Sequence, residues 1–226
     1  MRQMGMKCRK VAPIPAKADP EAQETFVNKQ LDPRVAEAKV GSRYLFFMDA
    51  AHFVFGTYLG YLWGFVQILV QTPSRRQRFS VLGALNAITR EIVTVVTNTG
   101  YINSHSVVEL LEKLAQQFSD RPITIILDNA RYQRCQYVFD AAAKLGIELL
   151  FLRPYSPNLN LIERLWKFTK ADELYGECWR CLNSHYYATS EFCQAITTCL
   201  NEPTEDQQSR LRTLLTLNFQ RFPKAG

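Results

Sequence analysis

The sequence predicts an α/β fold, a mixed sheet with helices on both faces. Three observations carry this. From Ile123 onward, short β-branched runs alternate with amphipathic stretches, which calls for parallel strands joined by right-handed crossovers. The strand candidates before them are joined by shorter connections, which suits an antiparallel section. The chain has 226 residues and is 47% hydrophobic, enough for a buried core without disulfide staples and too apolar for intrinsic disorder.

Residues 1–18 contain Pro13 and Pro15 and read as a broken lead-in. Asp19-Pro20-Glu21 supplies an N-cap, an N1 proline and a first-turn acid for a helix running toward Gln30. Asp32-Pro33 repeats the device for a short helix ending before Gly41. Tyr44–Met48 is an apolar strand ending in Asp49. Phe79–Leu85 and Ile92–Val96 are further strands. Ser106-Val-Val-Glu109 reads as a capping box for a helix to about Phe118. Pro122 breaks it, and Ile123–Leu127 is a buried strand ending in Asp128. A helix follows from about Arg134 to Leu145 with Gly146 as its C′ residue, then a strand over Ile147–Leu152. The rigid loop Arg153-Pro-Tyr-Ser-Pro-Asn158 leads into a helix from about Leu161. Its apolar stripe is Ile162, Leu165, Trp166 and Thr169, so Trp166 belongs to the core. The organisation expected is a helical linker over residues 1–43 and a catalytic-type domain with C-terminal helices over 44–226.

Phe53–Ser74 is a run of 22 residues without a formal charge, with Gly56, Gly60 and Gly64 at four-residue spacing. One reading is a membrane span. The run's glycines, glutamines, tyrosines and threonines, its start beside Asp49 and His52, and its aromatic and β-branched composition favour one or two strands with a tight glycine-assisted connection. No membrane partner is expected.

The net charge of +6 is uneven. Residues 1–43 and 131–170 each carry an excess of four bases, while 171–226 are net acidic by two. This permits a polyanionic partner without requiring one. Six cysteines without an apolar leader point to a reducing compartment, the cytoplasm. Cys178-Trp-Arg-Cys181, His185, Cys193 and Cys199 match no zinc-ligand spacing, so no zinc is expected and the thiols read as small packed hydrophobes.

Asp49 and Asp128 each close an apolar strand, and in an α/β sheet the carboxyl ends of the strands face the ligand crevice. Two such acids on neighbouring strands repel each other unless a cation lies between them. Glu163 sits at the edge of its helix stripe and can point inward over the sheet. Together the three make an oxygen-rich site suited to Mg²⁺ or Mn²⁺. Each acid also has a purely structural reading. Asp49 can cap a strand end, Asp128-Asn129 can form an Asx turn, and Glu163 can pair with Lys167 at i+4.

Three blocks go further. Phe46-Phe-Met-Asp49-Ala-Ala-His-Phe53, Ile126-Leu-Asp128-Asn-Ala-Arg131 and Pro154-Tyr-Ser-Pro-Asn-Leu-Asn-Leu-Ile-Glu163-Arg-Leu-Trp-Lys167 resemble the catalytic blocks of the mariner-type DDE transposases, most closely their bacterial insertion-sequence branch. Asp128 and Glu163 are separated by 34 residues, the spacing typical of that superfamily. The resemblance extends from about Ile14 to Phe222.

The resemblance implies an RNase H-like fold with Asp49, Asp128 and Glu163 as catalytic, metal-binding acids. It implies two-metal phosphoryl transfer, in which one ion activates water or a DNA 3′-hydroxyl and the other stabilises the leaving oxygen. The partner implied is double-stranded DNA, both element ends and target, engaged by a homo-oligomer near the nucleoid, with insertion at a TA dinucleotide. Residues expected to meet DNA or support the acids are His52, Arg75, Arg76, Arg78, Asn129, Arg131, Lys167 and Lys170. Surface solvation is the plain alternative for the bases, and a polar strand-end role is the plain alternative for His52.

The chain departs from the family at Gln133, where relatives often have His, and at Ala50, where many have a second acid. Residues 171–187 also drift from the pattern. Only 48 residues precede Asp49, and they show no helix-turn-helix. The expectation is therefore a catalytic half whose DNA-reading region is missing. An inert DNA- or partner-binding remnant and an RNase H-like nuclease of another kind are the alternatives.

Overall fold

A computed structural model describes residues 17–55, 77–97, 101–172, 189–219 and 221. The sheet has five strands: β1 (Tyr44–Phe55), β2 (Gln77–Asn86), β3 (Ile92–Thr97), β4 (Ile123–Leu127) and β5 (Ile147–Phe151). Their spatial order is β3-β2-β1-β4-β5. β1, β2 and β3 pair antiparallel, while β1, β4 and β5 pair parallel. The mixed sheet predicted from the spacing of the elements is present. β4 and β5 lie in parallel because each is reached through a helix, α3 (Ser104–Gln117) and α4 (Gln136–Leu145).

The side chains of β1 alternate between two cores. Phe46 and Met48 join Leu82, Ile125, Leu127 and the α3 residues Leu110, Leu111 and Leu114. Leu45, Phe47, Ala51 and Phe53 face the opposite side, against α5 (Ile162–Lys170), α6 (Thr189–Asn201), α7 (Glu205–Leu214) and the N-terminal helices. The strand β4, between β1 and β5, is buried at all five positions, as its β-branched run predicts for a strand covered on both faces.

Several local expectations shift. β1 does not end at Asp49 but continues to Phe55, because β2 pairs with it as far as Phe55–Gln77. Asp19 caps α1 (Pro20–Phe26) as predicted, with its carboxylate accepting from the Ala22 amide at 2.9 Å. Asp32 is no cap: its φ of −59° and ψ of −41° are helical. α1 runs through a π turn over Val27–Leu31 into α2 (Asp32–Lys39), forming one continuous helix. Pro33 lacks an N–H and crowds the carbonyl four residues back, and the widened turn accommodates both. The cap of α3 is Asn103, whose side chain accepts from His105 and Ser106 amides; Ser106 is the far half of that box, not its start. Gly146 ends α4 at φ 67°, a left-handed position that favours glycine.

Residues 56–76, which include most of the glycine-spaced run, lie outside the described residues, as do Cys178, Cys181 and His185. Among the described residues, no helix is long and apolar enough to cross a membrane.

Candidate active site

The topology brings Asp49 and Asp128 side by side. In the parallel register Met48 is opposite Leu127, and both point into the α3 core. The next residue on each chain is the acid, so alternation turns both carboxylates to the other face. Parallel pairing stops there, because the chain after Leu127 turns away. The Asp128 carboxylate accepts from the Ala130 amide at 3.1 Å, the Asx turn allowed for in the sequence. Glu163 arrives on the same face in the first turn of α5.

α5 is seated by Ile162, Leu165, Trp166, Phe168 and Thr169, all buried. Arg164 fixes its outer side by donating to the Thr216 and Asn218 carbonyls at 2.8 and 2.9 Å. Gly83, opposite Asp49 on β2, lets α5 approach: a Cβ there would lie 2.8 Å from Trp166 Cη2.

The three acids line one cavity of about 410 Å³, together with Asn129, Arg153, Tyr155, Ser156 and Asn160. Asp49 is pushed up from 3.8 to about 7. Burial is the main cause, and the charges of Asp128 and Glu163 add to it, while the Ala50 amide opposes. The Trp166 indole N–H faces the Asp49 carboxyl and lowers its pKa slightly, yet falls short of hydrogen-bond geometry. Glu163 also lies 3.5 Å from Lys167, the i+4 pair the sequence allowed. Among the described residues, no three His, Cys, Asp or Glu side chains stand close enough to hold one ion between them. The donor set nevertheless suits a hard divalent cation. It is all oxygen, its charges work against one another, and the buried Asn160 Oδ1 on the same wall has no partner.

The remaining candidates fall in different places. Asn129 donates to the Leu152 carbonyl and accepts from Arg134 at 2.9 Å, tying the loop after β4 to the loop after β5. His52 is exposed and sits three residues beyond Asp49 on the same strand, hence on the opposite face, with Nδ1 2.9 Å from Ser80 Oγ. Arg131 and Lys167 are exposed. The Lys170 ammonium lies 5.8 Å from the centre of the Phe53 ring. Arg75 and Arg76 lie outside the described residues, and Arg78 is placed only as a β2 residue, opposite Val54. Gln133 is fully buried.

Reading the sequence missed the cavity residues Arg153, Tyr155 and Asn160, although all three lie in the Pro-rich block before Glu163. Tyr155 has φ 59°, a costly conformation for a bulky side chain. Tyr132 was also missed. Burial first, then the charges of Asp128 and Asp49, keep it protonated to about 12.

A five-stranded mixed sheet with helices on both faces, and acids just past the carboxyl end of its parallel pairing, is an RNase H-like fold. The sequence profile described as DDE superfamily endonuclease matches residues 44–184, and the chain belongs to that family. Among solved structures, the chain is similar to the mariner Mos1 paired end complex with Mg (13% identity, 97% of this chain and 69% of that one, TM-score 0.56). It is also similar to the Mos1 mariner paired end complex with Mn (12%, 97% and 70%, 0.55) and to the Mos1 Strand Transfer Complex (14%, 95% and 64%, 0.53). At these identities the likeness is one of fold. The chain spans about two thirds of the length of those Mos1 chains. No curated protein sequence matches it significantly.

Proposed function

We propose that the chain is the catalytic part of a transposase of the bacterial insertion-sequence type, cutting and joining DNA strands with Asp49, Asp128 and Glu163 as its catalytic acids. The observation that carries this is the meeting of three carboxyl groups from β1, the end of β4 and α5 in one cavity, with Asp49 raised first by burial and then by the charges of the other two. The similar Mos1 structures bear Mg or Mn and transposon ends by their descriptions, which supports the same classes of cofactor and partner here.

In this reading the three acids hold Mg²⁺ or Mn²⁺, two ions in the full site. Bound there, the ions supply activation of an attacking oxygen and neutralisation of charge on the phosphate. The protein's own part is placement. Asp49 and Asp128 are set by strand register, and Glu163 by the buried face of α5. In this reading Arg153, at the cavity wall, and Arg131, just after β4, meet backbone phosphates, which would supply affinity without sequence readout. In this reading the working assembly is a homo-oligomer on DNA.

The test is nicking of plasmid DNA by the purified chain with Mg²⁺ or Mn²⁺. Activity should need the metal, and Asp49→Asn, Asp128→Asn and Glu163→Gln should each abolish it. Nicking that survives all three changes would sink the proposal. The alternative is an inert DNA-binding remnant. Metal-independent DNA binding with no cleavage under any condition would select it.

A further inference from the structure

The geometry points to Gln23, on the N-terminal helix, as a positioning residue for the loop that delivers Glu163. This rests on the reading of the three acids as a metal centre. Gln23 is far from the acids in sequence and almost wholly buried, at 3% exposure. A buried amide needs partners, and these are all on the cavity loop. Its Nε2 donates to Ser156 Oγ at 2.9 Å and to Asn158 Oδ1 at 3.1 Å. Its Oε1 accepts from Asn158 Nδ2 at 3.2 Å. Both ends of the amide are thus engaged across more than a hundred residues of chain.

What these bonds hold is a strained segment. Tyr155 sits at φ 59°, immediately before Ser156. Such a conformation in a bulky residue persists only when its surroundings over-determine it. Pro154 and Pro157 restrict the flanks, and Gln23 supplies the external restraint. Ser156 and Asn160 line the same cavity wall as Glu163, which begins α5 a few residues later. A loop released from Gln23 would relax Tyr155 and loosen the entry into α5.

The helix carrying Gln23 is itself anchored from its far end. Arg34 donates to Glu148 on β5 at 2.6 and 2.8 Å. The π turn between the two sections changes the helical phase, so that Gln23 faces the loop while Arg34 faces the sheet. The N-terminal helix therefore spans from the base of the sheet to the loop at the site. Anything that moves this helix acts on the Glu163 loop through Gln23.

The test uses the full chain with Gln23→Met, which keeps length and packing and removes all three bonds. Three measurements are made: hydrogen exchange of residues 153–163 without metal, Mn²⁺ affinity by electron paramagnetic resonance, and kcat against KM for plasmid nicking. Exchange in the loop should quicken, and Mn²⁺ should bind roughly tenfold more weakly, the lower range for groups that orient a metal ligand indirectly. kcat should fall with KM for DNA unchanged. The exchanged pair Gln23→Asn with Asn158→Gln should recover part of the loss. A folded Gln23→Met chain with wild-type loop exchange and Mn²⁺ affinity overturns the proposal. Should that variant fail to fold, Ser156→Ala removes one of the two loop-side partners and is judged by the same criteria. Asp128→Asn is the control: if it leaves Mn²⁺ binding intact, the metal-centre reading fails, whereas loop exchange in metal-free Gln23→Met still reports on the clamp.

Discussion

Asp49 carries the sharpest consequence of its surroundings. Its folded pKa of about 7 lies above the ordinary 3.8, so between those values the native state keeps a proton that the unfolded chain has lost. Stability of the metal-free protein should therefore fall as pH rises from about 4 to about 7, by at most about 1.4 kcal/mol per unit. Urea unfolding across that range should show the slope in the wild type and a flatter profile in Asp49→Asn. Added Mg²⁺ should also flatten it, because a cation takes over the proton's role. Gly83 makes a second residue-level prediction. A methyl group there meets Trp166 at 2.8 Å and Ile92 at 3.0 Å. Gly83→Ala should cost about 1–3 kcal/mol, seen as a lowered Tm, with Trp166 displaced beside Asp49.

Among the elements, α2 is bound to the sheet by charge as well as packing. Glu148 on β5 accepts from Arg34 and Thr124, with Arg43 alongside, and its carboxyl is held down from 4.5 to about 2, chiefly by Arg34. Its stabilisation is present above the ordinary value and is lost as pH falls toward 2. The pair is partly solvated, so Arg34→Ala should cost only about 1 kcal/mol near neutral pH, and the deficit should shrink in acid. At α3, Asn103→Ala should cost about 1 kcal/mol by leaving two amides uncapped, whereas Ser106→Ala should cost less. Thermal unfolding of the two variants would separate the roles. The same elements show why reading the chain placed some boundaries wrongly. Asn103, Ser104 and Ser106 are all good caps, and only packing selects among them. Asp32-Pro33 carries a start signal in mid-helix, because a π turn can absorb a proline that local rules treat as a break.

At the scale of the whole molecule, the N-terminal helix shares a core with the sheet. Phe26, Val27, Leu31 and Val35 are buried with Phe47, Leu165 and Trp166. Each such side chain contributes about 1.5–3 kcal/mol on burial, and together they rival the total stability of a domain. A chain shortened to residues 44–226 should therefore lose its near-ultraviolet circular dichroism and expose apolar surface to dye. A shortened chain with native signals would show that the helix is dispensable.

Much of this protein is legible along the chain. The α/β class, the five strands and the αL glycine after α4 follow from periodicity and turn chemistry, properties of neighbouring residues, and the three acids stood out along the chain as candidates by their places at two strand ends and on a helix. His52 shows the limit: its place relative to Asp49 depends on how far β1 continues, and that was set by the partner strand β2. Gln23, Arg153 and Asn160 were not legible as site residues, because an amide or a guanidinium has no local signature. Their roles come from contacts made across the fold, where burial forces each polar group to find a partner. By itself the sequence determined which elements form and which residues bear charge. The tertiary structure decided which side chains meet, because register, helix phase and the demand to satisfy buried polar groups act only once the layers are packed.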